Sequence, residues 1–282
     1  MEWSLPDPSI PVRQGDILIN RDTQKGKILA IHIVITADCD ISKNKFGSHL
    51  AGLRIIFHDD YIRTIWADKK LQKSLTDESK RVRDQVAKWH TALIKNESEI
   101  TTEAATSWIK RSSSEEICSQ LAIPTKEQKK FIRSIDKYRK ILENQEESQS
   151  LSALFKYANF LSTHKEKSFN DALSEALTQA QNESLPDDVF FLPELPETGS
   201  KGVIVMLREI IGIPYSQVFC KATDSSNTSD HIRIARLNPD FKYAISQAFG
   251  SLYSRIGLSA SYEARCKEAL SKISSYEWST RC

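Results

Sequence analysis

The stretch Ile28–Ile41, ILAIHIVITADCDI, decides how the fold is read. It is the strongest strand signal in the chain, because β-branched residues suit a pleated, half-buried surface. Strand alternation places Ile31, Ile33, Ile35, Ala37, Cys39 and Ile41 on one face and His32, Val34, Thr36, Asp38 and Asp40 on the other. The first face reads as core, with Cys39 turned inward. The second reads as mixed, bordering solvent or a cleft. Upstream, Ile17–Asn20 approaches across the turn-forming segment Arg21–Gly26, so the two runs predict a hairpin. Downstream, Leu53–Phe57 predicts the next strand.

Beyond that strand the composition changes. No glycine occurs between Gly52 and Gly199, and Pro124 is the only proline between Pro11 and Pro186. Absence of both breakers over such a length predicts stacked helices. Leu75, Val82, Val86, Trp89 and Leu93 form a seam on one long helix, roughly residues 60–95. Ser113 with Glu116 and Thr125 with Gln128 have capping-box spacing, and the second pair opens a helix striped by Phe131, Ile135, Tyr138 and Leu142. Strand patterns return at Val189–Leu192, Val203–Leu207, Val218–Lys221 and Ile232–Leu237. Thr223–Asp230 reads as an irregular loop. Asn238-Pro239 predicts a helix start, with Gly257 as its stop and a last helix near Ser261–Tyr276. The expected class is α+β: a small antiparallel β-barrel or sheet built from N- and C-terminal strands, interrupted by a long helical insertion. The expected divisions are 1–59 (first part of the barrel), 60–185 (helical module), 186–238 (second part) and 239–282 (C-terminal helices).

Composition narrows the function classes. The chain is 40% hydrophobic, enough for one substantial core, and its formal charge of +2 gives no general case for a polyanionic partner. No apolar run approaches the roughly 18 residues of a membrane span, and the proline-rich start Met1–Val12 does not read as a signal peptide. The five cysteines are scattered without a C-x-x-C pair, which points to a reduced, cytoplasmic setting. Phosphate-loop, dinucleotide, G-x-S-x-G and H-E-x-x-H patterns are absent. No cofactor and no catalytic constellation is expected.

Three residue sets remain as candidates. Thr36, Asp38 and Asp40 form a polar strand tip that reads as partner- or ligand-facing. A thiolate at Cys39 between two carboxylates would have its pKa raised by like charge, which argues against a nucleophile. Asp38 and Asp40 with His32, His49 or His58 could in principle ligate a metal, but no metal-site spacing is present. Arg21, Lys25 and Lys27 on the hairpin would join Arg233, Arg236 and Arg255 in one basic, nucleic-acid-facing patch if the barrel closes. Trp66, Trp89 and Trp108 lie among basic residues, but interleaved acids make a solvated face the better reading than a stacking platform.

Two resemblances bear on these residues. Gln14-Gly15-Asp16-Ile17 followed by Val34-Ile35-Thr36 resembles the opening of PemK-like toxin ribonucleases, an SH3-like barrel. That resemblance implies RNA cleavage, with Thr36 as the one matching site position. The arginine-bearing loop of that family is shortened here to Gln24-Lys25-Gly26. Gly15–Leu18, Val34–Ile41, Val189–Pro193, Arg233–Pro239 and Phe249–Leu258 together resemble a poorly characterised bacterial family found in anti-phage defence and mobile-element loci. This second resemblance implies a setting rather than a mechanism. The expected function is a non-enzymatic accessory or recognition subunit of a multi-component defence system, binding a partner protein of the same operon. The alternative is a nucleic-acid-binding or RNA-cleaving barrel.

Overall fold

The computed structural model describes residues 2–22, 25–94, 100–198, 202–254, 261–262, 264–265 and 267–268. The expected stop at Gly257, Arg255 and the body of the expected last helix lie outside the described residues. The chain forms two compact units, residues 1–56 with 185–282, and residues 57–184.

The first unit is organised by a sheet. Its strands are β1 (Trp3–Ser4), β2 (Asp16–Arg21), β3 (Ile28–Val34), β4 (His49–Phe57), β5 (Val189–Leu192), β6 (Val203–Pro214), β7 (Val218–Phe219) and β8 (His231–Leu237). The order β1-β8-β2-β3-β4-β6-β5 interleaves strands from the two ends of the sequence. The β2–β3 pair is antiparallel, with Ile17 opposite Ile33 and Leu18 opposite His32. On the other side of β2, β8 runs antiparallel, with Asp16 opposite Arg236 and Asn20 opposite His231. Short N-terminal strands bury little alone, so recruitment of β8 and β6 gives β2–β4 backbone partners on both sides. Pairing is antiparallel as the sequence predicts, except that β7 lies parallel to β8.

Both faces of the sheet are covered. Ile17, Ile19, Ile31, Ile33, Leu53 and Ile55 are buried on one face. Val12, Leu18, Val34, Leu50 and Ile213 form a buried cluster on the other. Ile31–Val34 are therefore all buried, so the face that alternation marks as mixed is core at His32 and Val34. Gly52 fits that packing closely, since a Cβ there would lie 2.7 Å from Ile213 Cδ1 and 3.3 Å from the Ile33 carbonyl.

The structure corrects the reading of the strand's end. β3 stops at Val34, and Asp38–Ser42 forms a short helix, α1, after the extended residue Ala37. Asp38 and Asp40 lie in its first turn, where a carboxylate suits the helix dipole. Alternation holds only while the backbone is extended, so Cys39 is not inward but exposed. The loop before β8 is also better organised than its composition suggests. Asp230 is buried and accepts the backbone N–H groups of Ser226 and Asn227, each at 2.9 Å.

The second unit is helical, as the absence of breakers predicts. It begins with the three-residue helix α2 (His58–Asp60) and a π-helical segment, Tyr61–Trp66. There follow α3 (Ala67–Ile94), α4 (Thr102–Arg111), α5 (Ser114–Gln120), α6 (Thr125–Glu147), α7 (Ala153–Lys165) and α8 (Phe169–Asn182). Ser113 and Glu116 form the expected capping box of α5. The expected box at Thr125 does not form: Pro124 is the N-cap, and Gln128 instead donates to the Ile123 carbonyl. Val82, Val86, Ile109, Ile117, Phe131, Ile135 and Tyr138 make the core of this unit, with Trp89 and Trp108 packed against it. Trp66 is buried, meets Tyr157 edge-on and donates to Glu183. All three tryptophans are thus packing residues. In the first unit, β8 is followed by α9 (Pro239–Ser254), which starts at the proline marked by the sequence.

Candidate functional site

In the sheet unit the conspicuous charges are turned on one another. Asp16 is fully buried beside Gly15, whose φ of +88° belongs to the region that favours glycine. Arg236 binds the Asp16 carboxylate through both Nε and Nη2, at 2.6 and 3.0 Å. Arg233 Nη1 lies 3.4 Å from the same carboxylate, with its side chain 1% exposed. The same Nη1 donates to the carbonyls of Ile10 and Pro11, and Nη2 to that of Asp7, clamping the proline-rich lead-in against β8. The hydrogen bond from Arg236 to Asp16 raises the arginine's pKa, so its charge is fixed at every working pH.

The single basic patch expected from Arg21, Lys25, Lys27, Arg233, Arg236 and Arg255 is therefore not assembled among the described residues. Arg233 and Arg236 are consumed by Asp16 at the start of β2. Arg21, at the other end of that six-residue strand, pairs with Glu197. A strand of that length separates its ends by about 17 Å. Lys25 and Lys27 stay exposed on the hairpin, and Arg255 lies outside the described residues. Arginines in a strand read as surface groups from sequence; one buried aspartate opposite them reverses that.

The Thr36, Asp38 and Asp40 corner is mostly structural. The Thr36 hydroxyl accepts the Ala51 N–H at 2.7 Å. Asp38 accepts the Gln14 N–H at 2.8 Å and pairs with Lys242 of α9 at 3.2 Å. Asp40 remains half-exposed, touched by the Cys39 thiol at 3.7 Å. Among the described residues, no group of three or more His, Cys, Asp and Glu side chains is placed to hold a metal ion. His32, read as a possible ligand, is instead buried against His231, with ring centroids 5.4 Å apart. Burial, then the His231 and Arg54 charges, push the His32 pKa down to about 4, and burial lowers that of His231. Both rings are neutral near pH 7.

The helical unit carries the surface that sequence reasoning missed. A groove of about 990 Å³ runs between α6 and the end of α7. Lys129, Arg133, Lys137 and Lys140 line it from α6, spaced so that they fall on one side of the helix. Lys167 closes it from the α7 side, where the chain turns through the left-handed conformation of Glu166. The two carboxylates in the lining are already engaged. Glu166 pairs with Arg133 at 2.6 Å, which holds its pKa below the usual range, and Asp136 is bound by Arg139 and Ser114. Lys167 is paired with Glu175. Lys129, Lys137 and Lys140 have no ion-pair partner among the described residues, although Lys137 lies near enough to Glu166 and Glu78 to help lower the pKa of each.

The sequence contains the signal for this surface. Residues 125–140 hold seven cations against two carboxylates, whereas the whole chain has an excess of only two positive charges. The first turn of α6 holds Lys126 beside Glu127, and its last turn holds Glu146 and Glu147 with no cation, so the C-terminal end runs against the helix dipole.

A second, apolar groove of about 520 Å³ is lined by Ile62, Leu154, Phe155, Leu173 and Leu177, with Asp59 and Arg63 among the remaining lining groups. Phe155 and Leu177 are 41% and 38% exposed there.

Among the described residues, no helix is long and apolar enough to cross a membrane. Comparison with known proteins gives no relative: no family model, no curated protein and no solved structure matches the chain.

Proposed function

We propose that the protein is a non-enzymatic recognition subunit whose helical unit binds an anionic macromolecular partner. The observation that carries this reading is the α6–α7 groove, where Lys129, Lys137 and Lys140 have no ion-pair partner among the described residues. In the sheet unit, by contrast, the residues that suggest chemistry are spent on internal contacts. Asp16 holds two arginines, Asp38 holds Gln14 and Lys242, and Thr36 holds Ala51. Groups satisfied in this way stabilise a fold and leave no reacting atom to position. The setting in a bacterial defence locus rests on the resemblance of the five sequence segments alone.

Binding of a labelled polyanion by the wild type and by a Lys129→Gln/Lys137→Gln/Lys140→Gln variant tests the proposal. Glutamine keeps helix propensity close to that of lysine, so the variant folds. The wild type is expected to bind at low salt and the variant to lose most of that binding. Equal binding by the two would remove the groove from the account.

The partner-protein reading keeps one specific support, the exposed Phe155 and Leu177 around the apolar groove. Apolar side chains gathered in a groove suit the hydrophobic face of a partner helix. A Phe155→Glu/Leu177→Glu variant that still bound the product of a neighbouring gene would remove that support.

A further inference from the structure

We infer that the ligand of the α6–α7 groove is the sugar–phosphate backbone of a nucleic acid, held through its phosphates and not read through its bases. The inference rests on the proposed anionic partner and names its chemistry. Its first support is the shape of the charge. Lys129, Arg133, Lys137 and Lys140 form a line along one side of α6, about 16 Å from first to last at the helical rise of 1.5 Å per residue. A line of cations complements a line of evenly spaced phosphates, whereas an acidic protein surface presents carboxylates as patches.

The second support is what the groove lacks. Ile132 is the only apolar side chain among its lining residues, and no aromatic side chain is among them. Protein interfaces are anchored by buried aromatic and aliphatic groups at their centre, and this groove offers no such anchor. Base-stacking platforms of single-strand binders also need aromatic faces, so bases have nothing to stack on here. Thr125, Gln128, Asn144, Ser162 and Thr163 are the neutral polar lining. Gln128, Asn144 and Ser162 already donate to the Ile123 carbonyl, the Thr163 hydroxyl and the Lys167 carbonyl, which leaves the threonine hydroxyls and the second amide N–H groups to serve phosphate and sugar oxygens.

The third support is the state of the cations. Arg133 and Lys167 are held by Glu166 and Glu175. Lys129, Lys137 and Lys140 have no ion-pair partner among the described residues, are partly or fully exposed, and can shed counterions when phosphates arrive. Three such contacts predict that the logarithm of affinity falls with the logarithm of salt concentration with a slope of about −2 for a single strand and about −2.7 for a duplex. A fourfold rise in salt then weakens binding about 20-fold or 40-fold respectively.

Fluorescence anisotropy on the full chain tests this with five probes: single-stranded RNA, single-stranded DNA, DNA duplexes of two unrelated sequences, and polyglutamate. The expected result is binding of the nucleic acids with the slopes above, equal affinity for the two duplexes, and a slope lowered by about 0.7–0.9 for each Lys→Gln substitution at 129, 137 or 140. Circular dichroism melts of each variant confirm that the helices are intact. Binding of polyglutamate without any nucleic acid overturns this inference while leaving the anionic-partner reading standing. Failure of every probe overturns both. Nucleic-acid binding that survives the triple substitution, or that differs several-fold between the duplexes, also refutes the assignment.

Discussion

Acidification is expected to loosen the sheet unit, and the share carried by His32 is measurable by difference. Its side chain is 7% exposed, faces His231, and has no hydrogen-bond partner at Nδ1. Burial first, then His231 and Arg54, lower its pKa from 6.5 to about 4. The neutral ring is therefore the form the fold accommodates. A base whose folded pKa lies below its unfolded value contributes its full stability above pH 6.5 and loses it as pH falls towards 4. At 1.36 kcal/mol per unit, the full loss is about 3 kcal/mol, of which about 2 kcal/mol is gone by pH 5. Carboxylates such as Glu78 and Glu183 also titrate on the acid side, so the measurement must be a difference. Hydrogen-exchange mass spectrometry on peptides covering β2 and β3, at pH 7 and pH 5 after correction for intrinsic rates, reads the opening free energy of that region. Wild type is expected to lose about 2 kcal/mol more than a His32→Leu variant between the two pH values. Equal losses, or an NMR titration of His32 near 6.5, would refute the reasoning.

Other outcomes follow from the same geometry. Asp16→Ala leaves Arg233 buried without its carboxylate and is expected to cost about 3–5 kcal/mol in urea unfolding. Asp38→Asn, at a half-exposed pair with Lys242, should stay within about 1 kcal/mol of wild type; a ranking opposite to this contradicts the account of the two sites. Cys39 should react with a thiol reagent in the native protein, and Cys118 only on unfolding, because Cys39 is exposed while burial covers Cys118 and raises its pKa. Protection of Cys39 would restore the inward reading of that residue. Gly52→Ala places a methyl group against Ile213 and the Ile33 carbonyl, for an expected cost of about 1–3 kcal/mol, measurable as a lowered thermal midpoint.

The sheet and the helical insertion were legible because apolar run length and breaker content reflect what each segment buries. Val189–Leu192 is the strand its residues predict, and Ser113 with Glu116 caps the helix it was expected to cap. The errors came where a local rule was carried past its physical domain. Alternation was extended from Val34 to Ile41 although the chain turns at Thr36 and Ala37, which reversed the side assigned to Cys39. Arg233 and Arg236 read as surface cations because no local pattern reveals that Asp16, more than two hundred residues away, lies opposite Arg236 and within reach of Arg233. In α6, Phe131, Ile135 and Tyr138 mark the core stripe. The groove lysines occupy the other side of the same helix, and only charge segregation against the dipole marks them in the sequence.

The most direct measurement is lysine labelling of the intact protein by a small acylating reagent, read by mass spectrometry with and without bound nucleic acid. The account predicts protection of Lys129, Lys137 and Lys140, with Lys25 and Lys27 on the hairpin labelled equally in both states. Protection at the hairpin lysines with none in the α6–α7 groove would contradict it.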